Sequence, residues 1–304
     1  MVGPIAVAIN PAAGRGRAVE AVAPVVARLE GLAPEVRVLI GADPADSLAL
    51  CLRAVADGAS ALVAAGGDGM VHLALQAVAG TPTPLGIIPM GAGNDFATCL
   101  GLSTDIEDAV DVIIDGLTSG QARSVDAVRA TGSDAGIDEW WVCVLGAGFD
   151  SVVNERANRM RWPRGPRRYD LAIFAELASL RPHNFVVDVD GHREELAATF
   201  IAVGNAPSYG GGMLIAPTAD LSDGMLDVTV VGPISRQTLI RLKPRVYAGT
   251  HVEHPAVSTR RGTVVRLEAP GLVAYADGER LGALPVTSEC VPGALRVFVP
   301  DERS

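Results

Sequence analysis

Lysine is almost absent from this chain of 304 residues, because Lys243 is the only one. No G-x-x-x-x-G-K-[ST] motif occurs, so a P-loop or a Schiff-base mechanism has almost no lysine to use. The four cysteines lie far apart without a C-x-x-C pair, which argues against a zinc site or a disulfide framework and favours a reducing cytoplasm.

Long apolar runs and broad basic stretches are also scarce. No uninterrupted apolar segment approaches the roughly 20 residues that a membrane span needs, so we expect a soluble protein. The start, MVGPIAVAIN, lacks a basic region and a cleavage site, which predicts a first strand rather than a secretory signal. The net charge of -10 disfavours a nucleic-acid partner, since binding to nucleic acid usually needs a broad basic face.

Short apolar runs alternate with helical patterns over the first part of the chain. This alternation is typical of a parallel sheet crossed by helices. Asp43 and Pro44 suit the N-cap and the first position of one of these helices. The predicted elements are, in order, the strand IAVAIN, a helix over 18–29, the strand EVRVLI, a helix from DPADSLALCL, the strand ALVAAGG, a helix from MVHLALQAVAG, the strand PLGIIPM, and helices over 95–100 and 106–117.

After about residue 130 the pattern changes to period-two runs separated by turn dipeptides, which predicts an antiparallel β domain. The runs are FVVDVDG, ATFIAVGN, MLDVTVV, TVVRLEA, LVAYADGE and ALRVFVP, and helical patterns over 169–180 and 236–247 interrupt them. The segment TGSDAGIDE, residues 131–139, is the best candidate for a boundary loop. We therefore predict an α/β domain over 1–130 and a β-sandwich domain over 131–304, whose last residues could return to the first domain.

Three loops that follow early strands carry glycine where the carboxyl edge of the sheet should lie, and ligands of open α/β sheets bind at that edge. They read NPAAGRGR, GGDG and PMGAGND, and they should converge on one crevice. Glycine lets backbone N–H groups approach an anion, and a helix N terminus adds partial positive charge. A phosphate group is the natural ligand, with Gly14 and with Arg15 or Arg17 facing it in the first loop.

Asp68 stands among the glycines of the second loop, where a bare carboxylate would repel a phosphate. A cation between the two would remove that repulsion, so Asp68 implies Mg²⁺ bound to phosphate oxygens. The alternative is an ordinary turn, because D-G dipeptides are common turn formers. A plain solvated turn is also the alternative for the first loop, since Val19 replaces the third glycine of a dinucleotide fingerprint.

Together these motifs resemble the bacterial diacylglycerol kinase family of soluble lipid kinases, whose GGDG loop is shared with NAD kinases and phosphofructokinases. NPAAG, GGDGM and PMGAGNDFA resemble the family's nucleotide loops, and GAGFDS, GGGMLIAPTADLSDGMLDV and DGE follow in the family's order. The resemblance covers nearly the whole chain. It implies ATP-dependent phosphorylation of a lipid hydroxyl, with diacylglycerol converted to phosphatidic acid, by an α/β domain and a C-terminal β-sandwich.

The resemblance also implies roles for individual residues. Glu279 is similar to the family's general base, which removes the proton of the acceptor hydroxyl. The family's magnesium positions, catalytic for the first three and structural for the last two, correspond to Asp68, Asp95, Asp126, Asp220 and Asp223. The positions expected to bind the nucleotide or its phosphates are Asn10, Gly14, Arg15, Gly66, Gly67, Gly69, Gly91, Gly93 and Asn94.

Two positions depart from the family's pattern. Met70 and Ala92 stand where the family has threonines, so two hydroxyls are lost while the backbone N–H donors remain. We expect altered nucleotide handling rather than certain loss of activity. A sphingoid or other long-chain lipid as acceptor stays open, as does a non-catalytic member that binds nucleotide or lipid.

Six arginines lie between Arg156 and Arg168, beside Trp162 and close to Tyr169. Basic and aromatic residues suit an anionic lipid surface, so this cluster predicts peripheral docking of a cytoplasmic enzyme on the inner face of the membrane. A solvated arginine loop is the alternative. A homodimer also stays open.

Overall fold

The computed structural model describes residues 2–10, 18–132, 136–160, 171–172, 175–177 and 179–300. The chain divides into two compact units. Unit 1 comprises Met1–Ala127, Leu221–Asp223 and Val291–Ser304, and unit 2 comprises Val128–Asp220 and Gly224–Cys290. Over the residues just given, no helix is both long enough and apolar enough to cross a membrane.

Unit 1 alternates strands and helices. Its elements are β1 (Ile5–Ile9), α1 (Ala18–Glu30), β2 (Val36–Leu39), α2 (Pro44–Ala56), β3 (Ala61–Gly66), α3 (Asp68–Val78), β4 (Leu85–Pro89), α4 (Asp95–Cys99) and α5 (Ile106–Ser119). These strands pair in parallel in the order β2-β1-β3-β4. The predicted parallel sheet with crossing helices is confirmed.

Local chemistry fixes where α2 begins. Asp43 is the N-cap, and its Oδ1 accepts a hydrogen bond from the backbone N–H of Asp46 at 2.9 Å. Pro44 occupies the first helical position, where the N–H that proline lacks would have no partner within the helix. Such a cap contributes about 1 kcal/mol to stability. The predicted start of this helix is confirmed.

The core of unit 1 lies between the sheet and its helices. Strands β1 and β3 are buried along their whole length, whereas the edge strand β2 is only partly buried. Side chains of β1 and β3 form one apolar cluster with Leu29 of α1 and Ile113 of α5. This buried sheet sets the starting points of the glycine loops, which follow the carboxyl ends of its strands.

Unit 2 is built from antiparallel strands. The elements after α5 are β5 (Arg123–Gly132), β6 (Ile137–Trp141), β7 (Val144–Gly148), α6 (Phe149–Arg159), β8 (His183–Val189), β9 (His192–Ala198), β10 (Phe200–Gly204), β11 (Leu226–Val231), α7 (Arg236–Tyr247), a 3-10 helix (Thr250–Glu253), β12 (Val257–Gly262), β13 (Val264–Glu268), β14 (Val273–Ala276), β15 (Glu279–Ala283) and β16 (Val286–Val297). Of these, β5 begins in unit 1 and β16 ends in unit 1.

Two sheets enclose the core of unit 2. One has the strand order β12-β11-β10-β7-β14-β15, and the other contains β16-β13-β8-β9. All of these neighbours pair antiparallel. Buried side chains from both sheets, among them Ile201 and Val228 from the first and Val187 and Val265 from the second, belong to one apolar cluster. The predicted C-terminal β-sandwich is confirmed.

The predicted loop over 131–139 is wrong at both ends. Residues 131–132 end β5 and residues 137–139 begin β6, and these two strands pair with each other, with Gly132 opposite Ile137. Glycine and aspartate are disfavoured in strands, so their presence in this segment led to the prediction of a loop instead of a hairpin. The helical pattern over 169–180 lies mostly outside the described residues, although 171–172 and 175–177 are helical.

The run ALRVFVP was assigned to the antiparallel domain, with the alternative that the last residues return to the first domain, and the structure places its later residues in unit 1. Val297 of β16 pairs in parallel with Leu85 of β4, and the N–H of Phe298 donates to the carbonyl of Leu85 at 3.0 Å. Phe298 is buried in the core of unit 1. A period-two pattern is common to both kinds of sheet, so it could not reveal which unit this run joins.

Candidate active site

Two of the three glycine loops meet in unit 1. The GGDG loop follows β3 and the PMGAGND loop follows β4, which are neighbouring strands. A Cβ atom on Gly91 would lie 2.5 Å from the Cα of Gly67, so the two backbones touch and a side chain would force them apart. The N–H of Met90 also donates to the carbonyl of Gly66 at 2.8 Å. Gly14 and Arg15 of the first loop lie outside the described residues.

Asp68, the first residue of α3, joins the two loops through its carboxylate. Its Oδ2 accepts the backbone N–H of Asn94 at 2.9 Å, and its Oδ1 accepts that of Asp95 at 2.6 Å. These N–H groups lie at the start of α4, so Asp68 caps that helix from a different element. Sequence reasoning missed this role, because no spacing along the chain relates Asp68 to Asn94.

Burial of the Asp68 carboxylate raises its pKa above the ordinary aspartate range. The negative charge of Asp95 raises this pKa further, while the hydrogen bonds from the backbone N–H groups of Asp95 and Asn94 act in the opposite direction. A cation beside the two carboxylates would favour their ionised forms and would offset their repulsion. The electrostatics of Asp68 and Asp95 therefore suit a bound metal ion.

Asn94 shapes the PMGAGND loop. Its side chain is buried, with Oδ1 accepting the N–H of Gly91 at 2.9 Å and Nδ2 donating to the carbonyl of Gly91 at 3.0 Å. Its backbone is left-handed, with a φ of 54°, a conformation that asparagine tolerates better than most residues. Asn94 thus holds the backbone of Gly91 in place, and its predicted contact with the nucleotide stays a prediction.

The middle of the PMGAGND loop consists of small, exposed residues. Gly91, Ala92 and Gly93 are all exposed, and a Cβ atom on Gly93 would lie 2.6 Å from Oδ2 of Asp68. A side chain there would disturb the carboxylate that joins the loops. In the GGDG loop Gly69 is exposed as well. Both loops therefore leave backbone accessible to an anion.

Asn10 lies at the end of β1, beside the end of β3. Its N–H donates to the carbonyl of Ala65 at 3.2 Å, and its side chain is exposed. The Cβ atom of Asn10 is 3.6 Å from the position that a Cβ atom on Gly66 would take. The structure thus brings Asn10 next to the GGDG loop, where its predicted role in nucleotide binding is sterically reasonable.

Met70 is buried on the inner side of α3. A Cβ atom on Gly66 would lie 2.6 Å from the Cβ of Met70, so the two residues pack closely. The methionine therefore fills space beneath the GGDG loop. Ala92, the other departure from the family's pattern, is exposed between Gly91 and Gly93.

Asp126 on β5 connects three segments of unit 1 that are distant along the chain. Its side chain is buried, and its Oδ1 accepts the N–H of Gly293 at 2.8 Å. Its own N–H donates to the carbonyl of Leu221 at 2.7 Å. Leu221–Asp223 thus lies beside Asp126, with Asp223 exposed and Asp220 just outside unit 1. The sequence predicted magnesium positions at Asp126 and at Asp220 and Asp223. It did not predict that Leu221 contacts Asp126.

A metal ion bound here would need ligands beyond side chains. Across the described ranges, no group of three or more His, Cys, Asp or Glu residues is placed to hold a metal ion. Mg²⁺ is usually held by one or two carboxylates together with waters and phosphate oxygens. The pair Asp68 and Asp95 fits that mode of binding, and the five predicted magnesium ligands stay predictions.

The hairpin that carries Glu279 lies in unit 2. Asp277 and Gly278 form its turn with φ values of 52° and 83°, and Glu279 opens β15 with an exposed side chain. The carboxylate of Asp277 accepts the N–H groups of Val142 and Cys143, each at 2.8 Å. These bonds anchor the turn, so β15 presents Glu279 to solvent from a fixed position.

Glu155 on α6 binds one face of this hairpin. Its Oε1 accepts from the Tyr275 hydroxyl at 2.9 Å and from the Arg280 guanidinium at 2.8 Å, and its Oε2 accepts from Arg159 at 3.0 Å. The hydrogen bond from Arg280 is the main reason that the pKa of Glu155 is lowered. Tyr275 and Arg280 are cross-strand partners, so Glu279 lies on the opposite face. Sequence reasoning did not find Glu155.

The arginine cluster can be placed only in part. Arg156 donates to Glu176, and Arg159 pairs with Glu155, so these two guanidinium groups are engaged within unit 2. The other four arginines, together with Trp162 and Tyr169, lie outside the described residues. The docking surface predicted from this cluster stays a prediction.

Two family models match the chain. Residues 4–130 match the diacylglycerol kinase catalytic domain, and residues 143–299 match the YegS C-terminal NAD kinase beta sandwich-like domain. A diacylglycerol kinase of Mycobacterium tuberculosis is 45% identical, over 98% of this chain and 96% of that protein. A probable lipid kinase YegS-like protein of Stenotrophomonas maltophilia is 30% identical, over 90% of this chain and 89% of its own length.

Solved structures share the fold. A diacylglycerol kinase from Bacillus anthracis has a TM-score of 0.72 and 21% identity, with 98% of this chain and 97% of that chain covered. An NAD kinase from Archaeoglobus fulgidus in complex with ATP has a TM-score of 0.56 and 13% identity, with 99% and 95% covered. At these identities the likeness concerns the fold alone.

Proposed function

We propose that this chain, which belongs to the diacylglycerol kinase family, transfers the γ-phosphoryl group of ATP to the hydroxyl of diacylglycerol and forms phosphatidic acid. Family membership makes it a phosphotransferase with an alcohol acceptor, and it implies ATP as the donor. The identity of the lipid, the metal and the catalytic residues are the proposed parts.

The observation that carries the proposal is the carboxylate of Asp68, which joins two glycine loops. It fixes the GGDG and PMGAGND backbones against each other at the carboxyl ends of β3 and β4. Exposed glycine N–H groups at such a position suit the phosphates of a nucleotide. Phosphoryl transfer depends mainly on alignment and charge neutralisation, so a site without lysine is adequate.

Asp68 and Asp95, joined by Asp126, would hold the catalytic Mg²⁺ together with phosphate oxygens. Asp220 and Asp223 would hold a structural Mg²⁺. The support is the raised pKa of Asp68, which is caused first by burial of its carboxylate and then by the negative charge of Asp95. When bound, the metal neutralises charge on the phosphates. The protein's own part is to keep the two carboxylates in place through the N–H groups that bind Asp68.

Glu279 is the proposed general base. As the acceptor oxygen attacks the γ-phosphorus, Glu279 takes the hydroxyl proton, the bond from the phosphorus to the β,γ-bridging oxygen breaks, and ADP leaves. The exposed carboxylate on an anchored turn supports this role, because a base for a lipid hydroxyl must be reachable from solvent. The bonds of Asp277 to backbone N–H groups position the turn.

The test is transfer from labelled ATP with Mg²⁺ to lipids in mixed micelles, with diacylglycerol, monoacylglycerol, ceramide and sphingosine as acceptors. We expect labelled phosphatidic acid from the wild type and a loss of at least about 100-fold with Glu279→Gln, the usual size of a general-base contribution. Glu30→Gln, an exposed glutamate at the end of α1, is the matched control. Full activity of Glu279→Gln would remove that residue from the mechanism.

The same test separates one alternative acceptor and one alternative class. A labelled sphingoid product instead of phosphatidic acid would assign a sphingoid lipid kinase with the same loops. Met70 and Ala92 favour a nucleotide-binding member without transfer, because two hydroxyls of the family pattern are missing. Binding of ATP by the folded protein without any labelled lipid would identify that case.

A further inference from the structure

The solvent-facing side of α7 differs in charge from the rest of the protein. The helix has twelve residues, RQTLIRLKPRVY, with four cations and no acid. The whole chain carries a net charge of -10. The chain's single lysine, Lys243, is among these cations. Cations are therefore concentrated on a helix of a protein that is otherwise strongly acidic.

An apolar stripe runs along the exposed side of α7. Leu242 is the buried residue of this helix, and Ile240, Pro244 and Tyr247 recur at i, i+4 and i+7 on the side away from it. Ile240 is 59% exposed and Tyr247 is 45% exposed, and Pro244 is exposed as well. An amphipathic helix of a folded domain normally turns such a stripe inward, whereas this stripe faces solvent.

Basic side chains border the stripe on both sides. At 3.6 residues per turn, Arg236 and Lys243 lie along one edge and Arg241 lies along the other. All three are exposed. On the same helix, the Arg245 guanidinium donates to the carbonyl of Thr250 at 2.6 Å and pairs with Glu253 at 3.1 Å, which ties the helix end to the 3-10 helix.

We propose that this face of α7, its apolar stripe with the flanking cations, docks the enzyme on an anionic lipid bilayer. An outward apolar stripe with basic edges is the pattern of helices that lie in the membrane interface, where apolar groups enter the acyl boundary and cations meet lipid phosphates. A nucleic acid would engage the cations alone and leave Ile240 and Tyr247 in water. Because the chain as a whole is net negative, a locally basic face such as this one orients the approach to an anionic surface.

This inference rests on the proposed function in one respect: docking is useful to the enzyme because its lipid acceptor lies in a membrane. The binding itself does not depend on catalysis. Docking by α7 is also independent of the arginine cluster between Arg156 and Arg168, because α7 is a separate element with its own cations.

The test is sedimentation of the full chain with vesicles of phosphatidylcholine alone or of phosphatidylcholine with phosphatidylglycerol. We expect binding only to the anionic vesicles, with a decrease as salt is added. Each basic residue near such a surface contributes about five-fold in affinity, so Arg241→Glu with Lys243→Glu should weaken binding by at least about 25-fold. Ile240→Ser should weaken it as well, without changing the salt dependence.

A matched control exists on α2, where Leu52 is 47% exposed and Arg53 follows it on the surface. Leu52→Ser with Arg53→Glu makes the same kinds of change on another helix, and we expect its vesicle binding to equal that of the wild type. Thermal unfolding by circular dichroism checks that all variants are folded. The proposal is overturned if the wild type ignores anionic vesicles, or if the α7 variants bind as well as the wild type.

Activity on two forms of the acceptor separates this proposal from the proposed function. With short-chain diacylglycerol dispersed in water, the α7 variants should turn over at the wild-type rate, whereas on anionic vesicles they should lose activity in proportion to binding. Equal loss on both forms would contradict docking by α7. If no variant, including the wild type, phosphorylates any lipid, the kinase proposal fails while the sedimentation result still decides whether α7 binds membranes.

Discussion

At the scale of single residues, Glu155 shows how a carboxylate outside every motif can position a predicted catalytic group. It holds Tyr275 and Arg280, which flank the turn that carries Glu279. The motif DGE identified the turn in the sequence, but nothing in the sequence indicated which residue would bind its neighbours. The chemistry of the family was visible in the motifs, and the residues that support it were not.

Glu155→Gln should lower the free energy of unfolding by about 1–3 kcal/mol at neutral pH, because hydrogen bonds to a charged group are lost. The folded-state pKa of Glu155 is lowered, so its contribution is full above the ordinary glutamate pKa and is lost as the pH falls through the folded value. Urea unfolding of both proteins over a range of pH measures the difference. A difference that stays constant down to strongly acidic pH would contradict the assignment.

At the scale of elements, α4 depends on a side chain from α3. It has five residues and lacks a side-chain cap from its own N-cap residue, Asn94. Isolated helices of this length are not stable in water. The bonds from the Asp68 carboxylate to the N–H groups of Asn94 and Asp95 supply the missing cap.

Asp68→Asn should therefore expose the start of α4, since the amide nitrogen of asparagine cannot accept one of the two N–H groups. We expect faster hydrogen exchange at the amides of Asn94 and Asp95, and weaker stabilisation of the folded protein by Mg²⁺ with ATP. Amide exchange and thermal shift measure the two effects. Asp115→Asn, on the exposed side of α5, is the control. Unchanged protection at both amides would refute the capping role.

Much of the secondary structure was predictable from the sequence. The helices that begin at Ala18, Pro44 and Arg236 start where the sequence placed them, because apolar spacing is a local signal and, for the second of them, so is the cap residue Asp43. The hairpin of β5 and β6 was missed because Gly132 and Asp138 weaken a strand pattern, yet they lie in register with residues across the pair. The partner of Asp68 was missed because it depends on the contact between two loops.

At the scale of the whole molecule, unit 1 is not a continuous stretch of sequence. Leu221–Asp223 and Val291–Ser304 belong to it together with Met1–Ala127. Phe298 is buried in its core, and a Cβ atom on Gly116 would lie 2.2 Å from the ring of Phe298, so the ring packs directly on the backbone of α5. A local pattern in ALRVFVP could not show this, because Phe298 and Gly116 are 182 positions apart along the chain (298 − 116).

Phe298→Ala should destabilise unit 1 by about 3–5 kcal/mol, the usual cost of removing a buried aromatic ring. Limited proteolysis at increasing urea, with the cut sites identified by mass spectrometry, measures this effect. We expect cleavage between residues 18 and 127 to appear at lower urea than in the wild type. Retention of the wild-type cleavage pattern would show that unit 1 does not need the ring.

The pairing of Val297 with Leu85 has a consequence for folding of the nascent chain during translation. Strands β1 to β4 are translated early. The edge of β4 that does not face β3 stays unpaired until residues 291–298 leave the ribosome. An open strand edge invites pairing with other chains. Unit 1 therefore completes its fold only after all of unit 2 has been translated, and its unfinished sheet is a natural substrate for chaperones that shield exposed strands.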